Sequence, residues 1–120
     1  MAAVAMLAFA SCKKDNDKSA NHIIEGKWTG TFKEDGEDWF FSLNFKAGGI
    51  IEELDENGQK IGVGTWEMEN NIIQAEWDML PPLSAKYSLI AAFYKDKGKL
   101  LGDWGYGTNA TNGGTFQMSK

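Results

Sequence analysis

The sequence predicts an all-β fold, a small antiparallel up-and-down β-barrel of about eight strands. Three observations carry this. Eight short strand-like runs can be drawn between residues 23 and 120. Gly-, Asn- and Asp-rich turn chemistry separates most of them by only a few residues. No window of useful length shows helical periodicity. Short connections favour a meander over Greek-key crossings, and closing the meander removes the exposed edges. A six- or seven-stranded barrel is the alternative.

The first run is Lys27–Phe32, followed by a polar loop at Lys33–Asp38. The second, Trp39–Phe45, alternates cleanly: Trp39, Phe41, Leu43 and Phe45 share one face, Ser42 and Asn44 the other. Ala47-Gly48-Gly49 turns the chain into Ile50–Leu54. Asp55-Glu56-Asn57-Gly58 closes that strand, Asn-Gly being a strong hairpin signal. Ile61–Met68 and Ile72–Trp77 pair across Asn70-Asn71. Pro81-Pro82 forces a connection outside the ladder, because proline has no N–H to donate. Tyr87–Tyr94 is apolar on both faces, and Lys95–Lys99 turns it into Leu100–Tyr106. A Gly/Asn/Thr loop at Thr108–Gly113 leads to the last run, Gly114–Met118.

Gly-x-Trp occurs three times at even spacing, ending at Trp28, Trp66 and Trp104. A glycine beside an inward tryptophan allows a close backbone approach. Small barrels pair small with large residues in this way. Gly26-Lys27-Trp28 at the start of the first strand resembles the Gly-x-Trp signature of lipocalins and related calycins. The resemblance implies that Trp28 plugs one end of the barrel with a basic side chain from the last strand across it. The chain has no Arg, so Lys120 is the residue placed to serve. The order Gly-x-Trp-x-Gly, Gly-x-Gly-x-Trp, Gly-x-Trp-Gly and Gly-Gly-Thr-Phe, over about residues 24–120, is similar to small lipocalin-like lipoproteins of gut Bacteroidetes.

The N-terminus agrees with that resemblance. Residues 1–11 are uncharged and contain neither Gly nor Pro. The run is too short to span a bilayer, which takes about 20 apolar residues. It matches the apolar core of a secretory signal, about 7–15 residues long. Phe9-Ala10-Ser11-Cys12 resembles a lipobox, in which the cysteine becomes the lipidated N-terminus. Residues 12–22 then read as a lipidated Cys12 and a flexible polar tether, since Lys13–Asn21 holds no apolar residue larger than Ala. Cys-Lys-Lys-Asp resembles Bacteroidetes lipoproteins sent to the outer face of the outer membrane. The expected location is therefore the outer membrane, at the cell surface or otherwise on the periplasmic face. Residues 23–120 form the barrel domain. A single cysteine permits no internal disulfide and no thiolate metal site. A net charge of −5 without Arg argues against nucleic acid as a partner.

The residues suggest no catalytic constellation, no cofactor and no metal. His22 sits at the tether–domain junction, and Asp55-Glu56-Asn57-Gly58 is read as a plain turn. Glu52/Glu53 and Asp55/Glu56 flank that turn and are read as solvent-facing. Asn109-Ala110-Thr111 is formally a glycosylation sequon but reads as a loop. Binding is the expected function. Eight strands enclose either a packed core or one small ligand. With this many aromatics inside, the cavity should be small and open at one end at most. The expected ligand is small and apolar or amphipathic, lined by some of Trp39, Phe41, Trp66, Trp77 and Trp104. The competing reading is an interaction module that binds a protein or glycan, or inhibits a host hydrolase, through the loops Lys33–Asp38 and Thr108–Gly113. Avidins share a similar opening motif, but no polar set suited to biotin can be identified.

Overall fold

A computed structural model describes residues 23–120. Cys12, His22, the expected signal segment and the tether lie outside the described residues. Eight antiparallel strands close into a barrel in sequence order, with β8 paired back onto β1. The strands are β1 (Gly26–Glu34), β2 (Glu37–Lys46), β3 (Ile50–Leu54), β4 (Lys60–Glu69), β5 (Ile72–Met79), β6 (Lys86–Tyr94), β7 (Lys99–Tyr106) and β8 (Gly114–Ser119). Each of the eight runs drawn from the sequence lies within a strand. A 3-10 turn at Lys95–Lys97 precedes Gly98, whose φ of 62° is left-handed.

The main departure is at residues 33–38. The sequence suggests a loop; the structure has a two-residue hairpin at Asp35-Gly36, with φ of 52° and 81°. Asp-Gly suits the primed turns whose twist matches that of the flanking strands. β1 and β2 therefore stay paired out to Glu34 and Glu37. Asn70-Asn71 makes a comparable turn between β4 and β5, with φ of 54° and 64°. At Asp55–Gly58 the Asp55 carboxylate accepts the N–H groups of Asn57 and Gln59, both at 2.9 Å. That is a side-chain-capped turn. Among the described residues no cluster of His, Cys, Asp and Glu could hold a metal ion.

The core is the inner face of the barrel. Trp28, Leu43, Phe45, Ile51, Ile73, Leu89 and Leu100 are all at most 1% exposed. Four of the five tryptophans are buried, and each indole N–H has a partner, as a buried indole needs. Trp28 donates to the Ile24 carbonyl, Trp66 to that of Lys46 and Trp104 to that of Lys33. Trp77 donates to a side chain, that of Glu53.

The two ends of the barrel differ. At the end where β1 begins, Trp28 meets Phe93 edge-on at 6.1 Å. Lys120 Nζ lies 6.0 Å from the Trp28 ring centroid and donates to the Ile23 carbonyl at 2.8 Å. Gly26, at φ 125°, leaves room for it: a Cβ there would stand 2.8 Å from Lys120 Cε. Trp28 removes on the order of 150–250 Å2 from water. At ~25 cal/mol per Å2 that contributes about 4–6 kcal/mol to keeping this end shut.

Candidate functional site

The opposite end, where β1 finishes and β2 starts, is not filled. It holds a cavity of about 130 Å3. Phe32 and Glu34 reach it from β1, Phe41 from β2 and Glu53 from β3. Trp77 and Met79 of β5, Tyr87 of β6, and Trp104 and Tyr106 of β7 complete the lining. Two larger depressions, of about 410 and 440 Å3, lie on the outer wall. Their linings include outward polar strand positions such as Thr65, Glu67, Gln74 and Gln117, and they open broadly to solvent. The smaller space is the one enclosed by the barrel and lined by its inward aromatic side chains.

Five aromatic side chains form a closed circuit around it. Phe41 neighbours Trp77 at 6.1 Å between ring centroids, and Trp77 neighbours Tyr87 at 6.2 Å. Tyr87 neighbours Trp104 at 6.1 Å, Trp104 neighbours Phe32 at 5.2 Å, and Phe32 returns to Phe41 at 5.4 Å. These tilted and edge-on pairs lie within the 4.5–7 Å range in which aromatic pairs attract. Tyr106 extends the circuit towards solvent, 5.1 Å from Trp104.

Two carboxylates interrupt this apolar lining. Glu53 is half-buried, and its Oε1 accepts the Trp77 indole N–H at 2.7 Å. Burial pushes its pKa up, and the Trp77 hydrogen bond offsets this in part. Glu34 accepts a hydrogen bond from the Tyr106 hydroxyl. That bond, with some desolvation and the charge of Glu34, raises the pKa of the exposed Tyr106 to about 12. Tyr87 is pushed up by burial and by the nearby charges of Glu53 and Glu34.

The loop at residues 107–113 stands beside this mouth and is tied down locally. Asn112 Oδ1 accepts the Tyr106 N–H at 2.8 Å, and the Gly113 N–H donates to the Trp104 carbonyl at 2.9 Å. Asn109 Oδ1 accepts from the Thr111 N–H at 2.9 Å, so the sequon residue shapes a side-chain turn.

Of the five tryptophan and phenylalanine positions expected at a ligand, Phe41, Trp77 and Trp104 come together here. Trp66 packs against Phe45 at 5.3 Å, towards the Trp28 end, and does not line the cavity. Trp39 has the inward parity of β2 but pairs with Phe32 near the mouth and is 49% exposed. Alternation identifies the face of a strand but not the depth along it.

Glu53 corrects the reading of its pair as solvent-facing. It shares the parity of buried Ile51, and β3 ends in a register shift between Glu53 and Leu54. Glu52 does point away from the cavity, but it is largely covered, ion-paired to Lys46 at 3.2 Å and Lys60 at 3.7 Å. Tyr87 and Tyr106 were readable by the same rule: they share the parity of Leu89 and Trp104.

No family model matches the chain, and neither a curated protein nor a solved structure matches it. The class therefore rests on architecture: a closed eight-stranded up-and-down barrel, consistent with a lipocalin-like fold.

Proposed function

We propose that this chain is a membrane-anchored, surface-exposed lipoprotein of the small lipocalin-like type found in Bacteroidetes, and that its barrel binds a small apolar or amphipathic ligand at the open end. The lipobox-like Phe9-Ala10-Ser11-Cys12 supports the anchor. The aromatic cavity supports the binding. Its volume bounds the ligand, because an apolar cavity of about 150 Å3 takes benzene. Drug-sized ligands occupy about 300–1,000 Å3. A space of about 130 Å3 thus accepts one ring or one head group, with any longer portion leaving through the mouth.

The competing interaction-module reading has less to stand on. The segment Lys33–Asp38 is a tight hairpin, which leaves Thr108–Gly113 as the larger of its two proposed contact loops.

Native mass spectrometry of protein from its own host is expected to show a bound small molecule. Tryptophan fluorescence should change saturably with a member of a panel of lipids, sterols, bile acids and short amphiphiles. Protein that is repeatedly empty, with fluorescence flat across the panel, would remove the reading.

A further inference from the structure

We infer that the open-end cavity recognises an organic ammonium group, a positively charged nitrogen carried on a small or amphipathic molecule. The inference rests on the ligand-binding reading above and narrows it by charge. Among the described residues, both acids in the lining, Glu34 and Glu53, carry negative charge when ionised, and no lysine lines the cavity. Lysines near the barrel mouth are drawn to outer carboxylates. Lys33 pairs with Asp38 at 3.0 Å, Lys60 with Glu52, and Lys86 with Asp78 at 3.3 Å. The cavity is thus an aromatic cage with a negative interior.

Each part of that cage favours the same guest. Aromatic faces attract a cation within about 6 Å of the ring centroid. Five rings spaced 5.2–6.2 Å apart surround this space, so a group of head-group size meets several faces at once. The Glu53 carboxylate is oriented by the Trp77 indole, which engages Oε1. A half-buried carboxylate facing aromatic rings is poorly solvated, and a cation beside it restores what burial removed. A neutral guest gains the rings without that compensation. An anionic guest, including a fatty or bile acid entering by its carboxylate, meets two like charges.

The test uses guests of one length that differ in charge: butylammonium, 1-butanol and butyrate, with tetramethylammonium as a second cation. Each is titrated into the full chain carrying Cys12→Ser. Tryptophan fluorescence and the indole N–H resonance of Trp77 report binding. Both ammonium ions are expected to bind saturably, about tenfold or more tighter than 1-butanol, a gap of about 1.4 kcal/mol. Butyrate is expected to bind weakest. Glu53→Gln keeps an acceptor for Trp77 and should collapse the gap between butylammonium and butanol. Butanol or butyrate binding as tightly as butylammonium would overturn the inference, yet leave the cavity as an apolar site. Silence from every guest here and from the wider panel would remove both readings. The ranking in the Glu53-bearing chain decides the matter even if Glu53→Gln does not fold.

Discussion

A half-buried carboxylate is an expensive residue for a barrel of this size, and Glu53 shows how the expense can be measured. Burial raises its folded-state pKa above the ordinary 4.5. Trp77 from β5 donates to it, while Tyr87 from β6 and Glu34 from β1 line the same space, with no positive charge among the described lining residues. The folded protein therefore holds the Glu53 proton more tightly than the unfolded chain does. Stability linked to this group is fully present below pH 4.5 and is lost as pH rises through the elevated folded value. Glutamine is neutral throughout and preserves an oxygen for Trp77. Glu53→Gln should thus exceed the parent in stability at about pH 7, and the difference should close towards about pH 4. Urea denaturation at the two values checks this. A variant no more stable at neutral pH, or a gap that widens on acidification, would contradict the burial argument. A side chain that lowers stability where glutamine would fit is the pattern expected of a residue retained for binding.

At the scale of strands, the alternation of large and small residues controls how far the barrel wall can curve inward. Gly64 on β4 faces Trp77 on β5, and a Cβ there would stand 1.9 Å from the Glu76 carbonyl oxygen and 2.4 Å from Trp77 Cα. The clash is with backbone, so no rotamer relieves it. Gly64→Ala should cost at least about 2 kcal/mol, within the usual 1–3 kcal/mol of overpacking. Thr65→Ala, at the exposed neighbour, should stay within about 0.5 kcal/mol of the parent. Equal denaturation midpoints for the two variants would show that the strands separate freely at this point. Strand positions were legible in the sequence because period-two alternation and Gly, Asn and Asp turns act locally. The Asp35-Gly36 hairpin was hidden by the flanking charges Lys33, Glu34, Glu37 and Asp38, which resemble a loop yet extend two strands. The site was half legible. Phe41, Trp77 and Trp104 follow from parity, whereas the meeting of Glu53 with Trp77 depends on the stagger of nonadjacent strands β3 and β5. No local pattern encodes that stagger.

For the whole molecule, the decisive feature is that the chain's entry into the barrel and the cavity fall at opposite ends. The chain enters β1 at Gly26, beside Trp28 and Lys120, and β1 carries it to Glu34 at the mouth. Eight steps of ~3.3 Å along the nine residues of β1 separate the two by about 26 Å. An anchor on Cys12 would then hold the barrel by its shut end and turn the aromatic mouth away from the membrane. Such an anchor must itself be strong enough, because a chain of net charge −5 gains nothing from anionic headgroups. Acyl chains supply about 0.8 kcal/mol per buried CH2, and stable attachment takes more than one chain. Cys12→Ser should therefore move the protein from the membrane to the soluble fraction, and mass spectrometry of the parent should find acyl groups on Cys12. Because the mouth lies at the far end, ligand titration by tryptophan fluorescence should give the same midpoint for the released variant as for detergent-extracted parent. A Cys12→Ser protein that stays with membranes after a salt wash would refute the lipid anchor. A shifted midpoint would instead show that the attached end communicates with the mouth through the barrel wall.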